Sequence, residues 1–187
     1  MATIGLPWKD IQTMCPPDIY LSGENSQSNI MVSGPSESLK SFAKKLQMNG
    51  VFVRLLETCE FAPHSPYMDA ACELLRDYLK EIVPIKTLRS SKWLATNALE
   101  EDWGSPEVQY FSDVYITNVV KNQVHFYKAV LHIPHNSVVL EISPRATLGM
   151  FVKETVPSAK YLHCIPKKDK VNPAILSKQN LQSLFNP

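Results

Sequence analysis

Apolar and polar positions change period several times along the chain, and the changes mark its elements. Met1–Gly5 reads as a short strand. Leu6–Met14 reads as a helix, with Pro7 in its first turn and Trp8, Ile11 and Cys15 on one face. Pro16-Pro17 stops it. Ile19–Ser22 and Asn29–Ser33 are strand candidates joined by a polar turn over Gly23–Ser28. Gly34-Pro35 opens a second helix whose stripe is Leu39, Phe42, Ala43 and Leu46, with Glu37 in its first turn. Asn49-Gly50 ends it, and β-branched Val51–Leu56 makes the next strand. The order β-α-β-β-α-β over about the first 57 residues is the ferredoxin-like split βαβ arrangement.

Beyond it the periods alternate again. Met68, Ala71, Cys72, Leu75, Tyr78, Leu79 and Ile82 predict a long amphipathic helix stopped by Pro84. Trp93–Thr96 is a strand candidate, and Glu100–Ser112 a polar, aromatic loop or short helix. Val124, Tyr127, Val130 and Leu131 mark a helix, and Val138–Ile142 a strand of the kind buried on both faces. A helix through Leu148–Thr155, a strand at Tyr161–Ile165 and a closing helix at Pro173–Phe185 behind Asn172 complete the pattern. The whole reads as a layered α/β chain. Its two parts are a small subdomain at 1–58 and part of a larger α/β core at 59–187.

Composition narrows the function classes. Net charge is +1, with 44% hydrophobic and 20% charged residues, so nothing favours nucleic acid or an anionic membrane as partner. The cysteines at 15, 59, 72 and 164 contain no C-x-x-C pair, and there is no signal-peptide pattern, long apolar run or N-x-S/T sequon. Free thiols in a reducing, cytoplasmic setting are expected. Dinucleotide, P-loop and H-E-x-x-H signatures are absent, and no two glycines lie four apart to form a G-x-S-x-G elbow. Of the five histidines, His125, His132, His135 and His163 have no evident chemistry. His64, in Glu60-Phe61-Ala62-Pro63-His64-Ser65-Pro66-Tyr67-Met68, lies between a strand and a long helix, a place from which a side chain projects into a cleft. By position alone a helix-capping loop histidine is the favoured reading.

Several segments, read in order, tip that balance: Cys15-Pro16-Pro17, Glu24-Asn25-Ser26, Ile30-Met31-Val32-Ser33-Gly34-Pro35, Gly50-Val51-Phe52, Ala62-Pro63-His64-Ser65 with Met68, Trp93-Leu94-Ala95-Thr96, His132-Ile133-Pro134, and Val138-Val139-Leu140-Glu141-Ile142. Together they resemble the C-terminal two-thirds of the malonyl/acetyl-CoA:acyl-carrier-protein transferase domain of animal-type fatty acid synthases. The resemblance implies a ferredoxin-like subdomain followed by part of an α/β-hydrolase-like core. It implies an acyl group passed from malonyl-CoA or acetyl-CoA through a serine to the phosphopantetheine thiol of an acyl carrier protein, with no bound cofactor and no metal. Other domains of the synthase would be further partners. The general base maps onto His64. A backbone carbonyl at Asn118 or Val119, within Thr117-Asn118-Val119-Val120, would orient it. Asn25 and Pro63 map beside the acyl pocket, although Asn25 is equally a turn residue. The family's serine elbow and carboxylate-binding arginine have no counterpart in these residues, so the chain by itself is expected to form no acyl-serine. Pro63 stands where the family usually has phenylalanine. A polyketide synthase acyltransferase is the alternative enzyme, and an inactive remnant serving as a binding module the alternative of another class.

Overall fold

The computed structural model describes residues 1–163. Cys164 and the expected helix at Pro173–Phe185 lie outside them. The chain forms two compact units, Met1–Ala129 and Val130–Pro187.

The first unit begins with β1 (Ala2–Ile4), α1 (Trp8–Ile11), β2 (Tyr20–Ser26), β3 (Asn29–Ser33), α2 (Ser36–Met48) and β4 (Val53–Leu55). The strands form one sheet in the order β2-β3-β1-β4, antiparallel throughout. This is the ferredoxin-like topology that the order of elements predicts. Alternation assigns the faces. Ala2, Ile4, Ile30, Val32 and Val53 point inward and join Ile11, Ile19, Leu39, Phe42, Ala43 and Leu46 in one core. Thr3, Met31 and Arg54 fall in register on the opposite face. Gly34, before α2, has no room for a side chain, since a Cβ there would stand 2.9 Å from the Asp18 carbonyl oxygen. The stop at Asn49-Gly50 is real, with Gly50 at φ 76°.

Two expectations change here. The first helix closes at Ile11 instead of reaching Met14. β2 runs through residues expected to turn, as far as Ser26, and the turn shrinks to Gln27-Ser28. Two register shifts in the β2–β3 pair absorb the polar residues. Gly23 also pairs in parallel with Val124, a partner no local pattern discloses.

The rest of the unit comprises a 3-10 turn (Pro66–Met68), α3 (Asp69–Ile82), β5 (Thr87–Leu88), a second 3-10 turn (Glu100–Asp102), α4 (Pro106–Gln109), β6 (Tyr110–Phe111), α5 (Asp113–Lys121) and α6 (Phe126–Val130), the last ending at the division between units. Cys72 and Leu79 of α3 are buried, whereas Tyr78 and Ile82 of the expected stripe are 69% and 73% exposed. The buried side of α3 packs on α5. Ion pairs from Arg76 to Asp113 (3.1 Å) and from Lys121 to Asp69 (2.8 Å) flank the contact. The ladder expected at Trp93–Thr96 does not form. This segment is irregular, anchored by Ala95 in a small core with Val108 and Tyr115.

In the second unit, β7 (Val138–Glu141) pairs in parallel with β8 (Lys160–His163), linked through α7 (Gly149–Thr155). Burial on both faces does not hold for the expected strand: Leu140 is 43% and Ile142 78% exposed. Glu141 is buried instead, and accepts the N–H groups of Thr147 and Leu148 just ahead of α7.

Candidate active site

His64 stands on the loop between β4 and the first 3-10 turn, at φ 58°. A side chain with a Cβ pays for left-handed backbone, so its surroundings must hold it there. Four hydrogen bonds do so. The His64 backbone N–H donates to the Val120 carbonyl at 2.9 Å. Fully buried Ser33, at the end of β3, donates its hydroxyl to the Pro63 carbonyl at 2.5 Å. Ser65, also buried, turns its hydroxyl back onto the Ala62 carbonyl at 2.5 Å. The imidazole Nδ1 lies 3.0 Å from the Asn122 carbonyl oxygen.

That last contact defines the ring's chemistry. A carbonyl only accepts, so Nδ1 carries the proton and Nε2 keeps its lone pair. Burial of the half-exposed ring pushes its pKa below the usual 6.5, and the hydrogen bond to Asn122 pulls the other way. The ring is therefore neutral near pH 7, the state a base requires.

The orienting carbonyl is that of Asn122, not of Asn118 or Val119. α5 runs to Lys121, and the Asn118 carbonyl receives the Asn122 N–H at 2.9 Å within the helix. Carbonyls become free for other donors only in the last turn and beyond. The His64 loop uses two of these, at Val120 and Asn122, and so caps the helix C-terminus.

Asn25 lies near the end of β2, 9% exposed, and donates its amide to Asn29 Oδ1 at 2.9 Å. That oxygen also receives the Thr3 hydroxyl at 3.1 Å. Asn25 thus belongs to a polar row with Asn29 and Thr3 on the sheet, and Ser33 ties the same sheet to Pro63. Pro63 is half-buried next to His64. An open cleft of about 840 Å³ adjoins the loop, bordered by Gly34, Ser36, Lys40, Phe61, Ala62 and Tyr67, but His64 is not among its walls.

The other histidines make different contacts. His125 gives its backbone N–H to the Thr96 carbonyl at 2.6 Å, and burial lowers its pKa. In the second unit, His135 Nδ1 meets the Ser158 hydroxyl at 3.3 Å and His163 Nε2 the Ser143 carbonyl at 2.7 Å. Ser33, Val120 and Asn122 escaped the reading of the sequence. The pattern assigns no helix to residues 113–121, so the carbonyls left free beyond the end of α5 at Lys121 have no local signal. Among the described residues no group of three or more His, Cys, Asp or Glu could hold a metal ion, and no helix is long and apolar enough to cross a membrane.

The acyl transferase domain family matches residues 1–182. A reducing polyketide synthase, DEP5 of Alternaria brassicicola, is 30% identical over 140 residues, 71% of this chain and 6% of that protein. A loading acyltransferase from the avermectin modular polyketide synthase shares the fold at TM-score 0.76 and 18% identity, over 98% of this chain and 58% of that one. The malonyl CoA-acyl carrier protein transacylase of Clostridium perfringens superposes at TM-score 0.69 and 16% identity, over all of this chain and 58% of that one. The chain thus spans 58% of each of those solved domains and 6% of the synthase. With a family match over nearly its whole length and the matching fold, the chain belongs to the acyl transferase domain family.

Proposed function

We propose that this chain supplies the base and part of the acyl pocket of a transferase that moves a malonyl or acetyl group from coenzyme A to a carrier-bound phosphopantetheine thiol. It would do so within a cytosolic multidomain synthase of the fatty acid type. His64 Nε2 takes the proton of a serine hydroxyl as that oxygen bonds to the thioester carbon. The C–S bond then breaks, and the same proton goes to the departing thiolate of coenzyme A. Transfer to the carrier thiol repeats these steps in reverse. The serine, and an arginine for the malonyl carboxylate, would come from the part of the domain that these residues do not contain. Asn25 and Pro63 would border the acyl group. No cofactor is required.

The observation that carries this reading is the His64 imidazole, held at φ 58° with Nδ1 on a carbonyl and Nε2 left as acceptor. Cys15, Cys59 and Cys72 are free thiols, consistent with a reducing compartment. The test is transfer of labelled malonyl from coenzyme A to carrier protein by the natural polypeptide containing this chain. His64→Ala is expected to slow it by about 10²–10⁴-fold. Transfer at the parent rate would refute the assignment.

The polyketide relatives favour a second reading, in which the same chemistry serves a polyketide synthase. A panel of carrier domains and acyl-CoA thioesters separates the two.

A further inference from the structure

The carbonyl that orients His64 belongs to a residue whose side chain is also engaged. Asn122 Nδ2 donates to the Asn97 carbonyl at 3.2 Å. Its backbone N–H goes to Asn118 at 2.9 Å and its carbonyl to His64 at 3.0 Å. Asn122 therefore uses three groups at once, and only one of them touches the imidazole.

The acceptor is well fixed. Three successive carbonyls of the irregular segment 95–97 are hydrogen-bonded. Ala95 receives Trp103 Nε1 at 2.9 Å, Thr96 receives the His125 N–H at 2.6 Å, and Asn97 receives Asn122. Ala95 and Asn97 are 1% and 3% exposed. Residues 122–125 are also held from another direction, because Val124 exchanges bonds with β2: its N–H to Ser22 at 2.9 Å, its carbonyl from Glu24 at 3.0 Å. The carbonyl on His64 thus projects from a strip pinned both to the sheet and to segment 95–97.

We propose that Asn122 is a positioning residue for His64, acting through its side-chain amide. The Nδ2–Asn97 bond fixes the peptide whose carbonyl selects the Nδ1-protonated tautomer. Removing the amide keeps the carbonyl but frees its direction just past the helix end. The imidazole then loses its tautomer preference, and a base misplaced by a fraction of an ångström loses rate steeply. The proposal rests on the reading of His64 as the base.

The test uses histidine-selective ¹⁵N labelling of the 187-residue chain, with His64 assigned by its loss in His64→Gln. In the parent, His64 is expected to be chiefly Nδ1-protonated. In Asn122→Ala the population moves toward the Nε2-protonated form, while His132, His135 and His163 are unchanged. Gln123→Ala, one residue along, leaves His64 as it was. An unmoved His64 tautomer in folded Asn122→Ala overturns the proposal, and so does an equal change in Gln123→Ala. Should Asn122→Ala fail to fold, near-isosteric Asn122→Leu gives the same readout with the same meaning. In the natural polypeptide, Asn122→Ala is expected to lower kcat by on the order of 10- to 100-fold with KM little changed. If His64→Ala leaves transfer intact while the tautomer still responds to Asn122, the functional reading fails and the positioning contact stands. The reverse outcome sinks the positioning contact alone.

Discussion

Replacing Glu141 by glutamine is expected to loosen the second unit, and to do so only where the native carboxylate is ionised. Glu141 is 7% exposed. Its oxygens accept from the Ser143 hydroxyl at 2.6 Å, the Thr147 N–H at 3.1 Å, the Leu148 N–H at 3.2 Å and the Tyr161 hydroxyl. Burial opposes ionisation, but these four donors outweigh it and hold the pKa at about 2, below the ordinary 4.5. A hydrogen bond to a charged acceptor contributes about 1 kcal/mol more than one to a neutral acceptor. Four of them, allowing for non-additivity, place the cost of Glu141→Gln at about 3 kcal/mol near pH 7. The sign of the pH dependence follows from linkage. Because the folded pKa is depressed, the carboxylate's contribution is complete above the unfolded value of 4.5 and drains away as pH falls toward 2. Native-state amide exchange over residues 138–163, read by mass spectrometry on parent and variant at matched pH, isolates this unit. The variant should exchange on the order of 10²-fold faster at pH 7, and the ratio should shrink to a few-fold near pH 2.5. A ratio near one at pH 7, or a large ratio independent of pH, would refute the assignment of the stabilisation to the ionised carboxylate.

Two further outcomes concern the first unit. Ser33→Ala removes the donor to the Pro63 carbonyl from a fully buried site, and should destabilise the unit by about 1–2 kcal/mol, read as a lower urea midpoint by tryptophan fluorescence. An unchanged midpoint would mean that the His64 loop does not depend on the sheet. Burial lowers the pKa of both His64 and His125, so below pH 6.5 the unfolded chain binds more protons than the folded one. Their contribution is complete above that pH and is lost as pH falls through it. The urea midpoint should decline between pH 7 and 5, less steeply in a His64→Gln/His125→Gln double variant; a midpoint that rises on acidification contradicts the burial argument.

Local pattern was enough for much of the fold. Alternation at Ala2–Ile4 and Asn29–Ser33, the stripe Leu39-Phe42-Ala43-Leu46 and the stop at Asn49-Gly50 determine a βαββαβ unit, because each rests on contacts within one element and on the two periods of strand and helix. The position of His64 between strand and helix was legible for the same reason. Tertiary structure decided what the histidine meets. Its partner is a backbone carbonyl 58 residues away, and every residue carries a carbonyl, so side-chain identity says nothing of which one is free. That depends on where α5 ends and how 122–125 is gripped between β2 and segment 95–97. The same cause explains the other departures. β2 continues through polar residues because β3 pairs with it as far as Ser26, and Tyr78 and Ile82 are exposed while, among the described residues, α5 packs against the side of α3 that buries Cys72. Periodicity reports which residues can be buried together, and only the assembled chain determines which partner arrives to bury them.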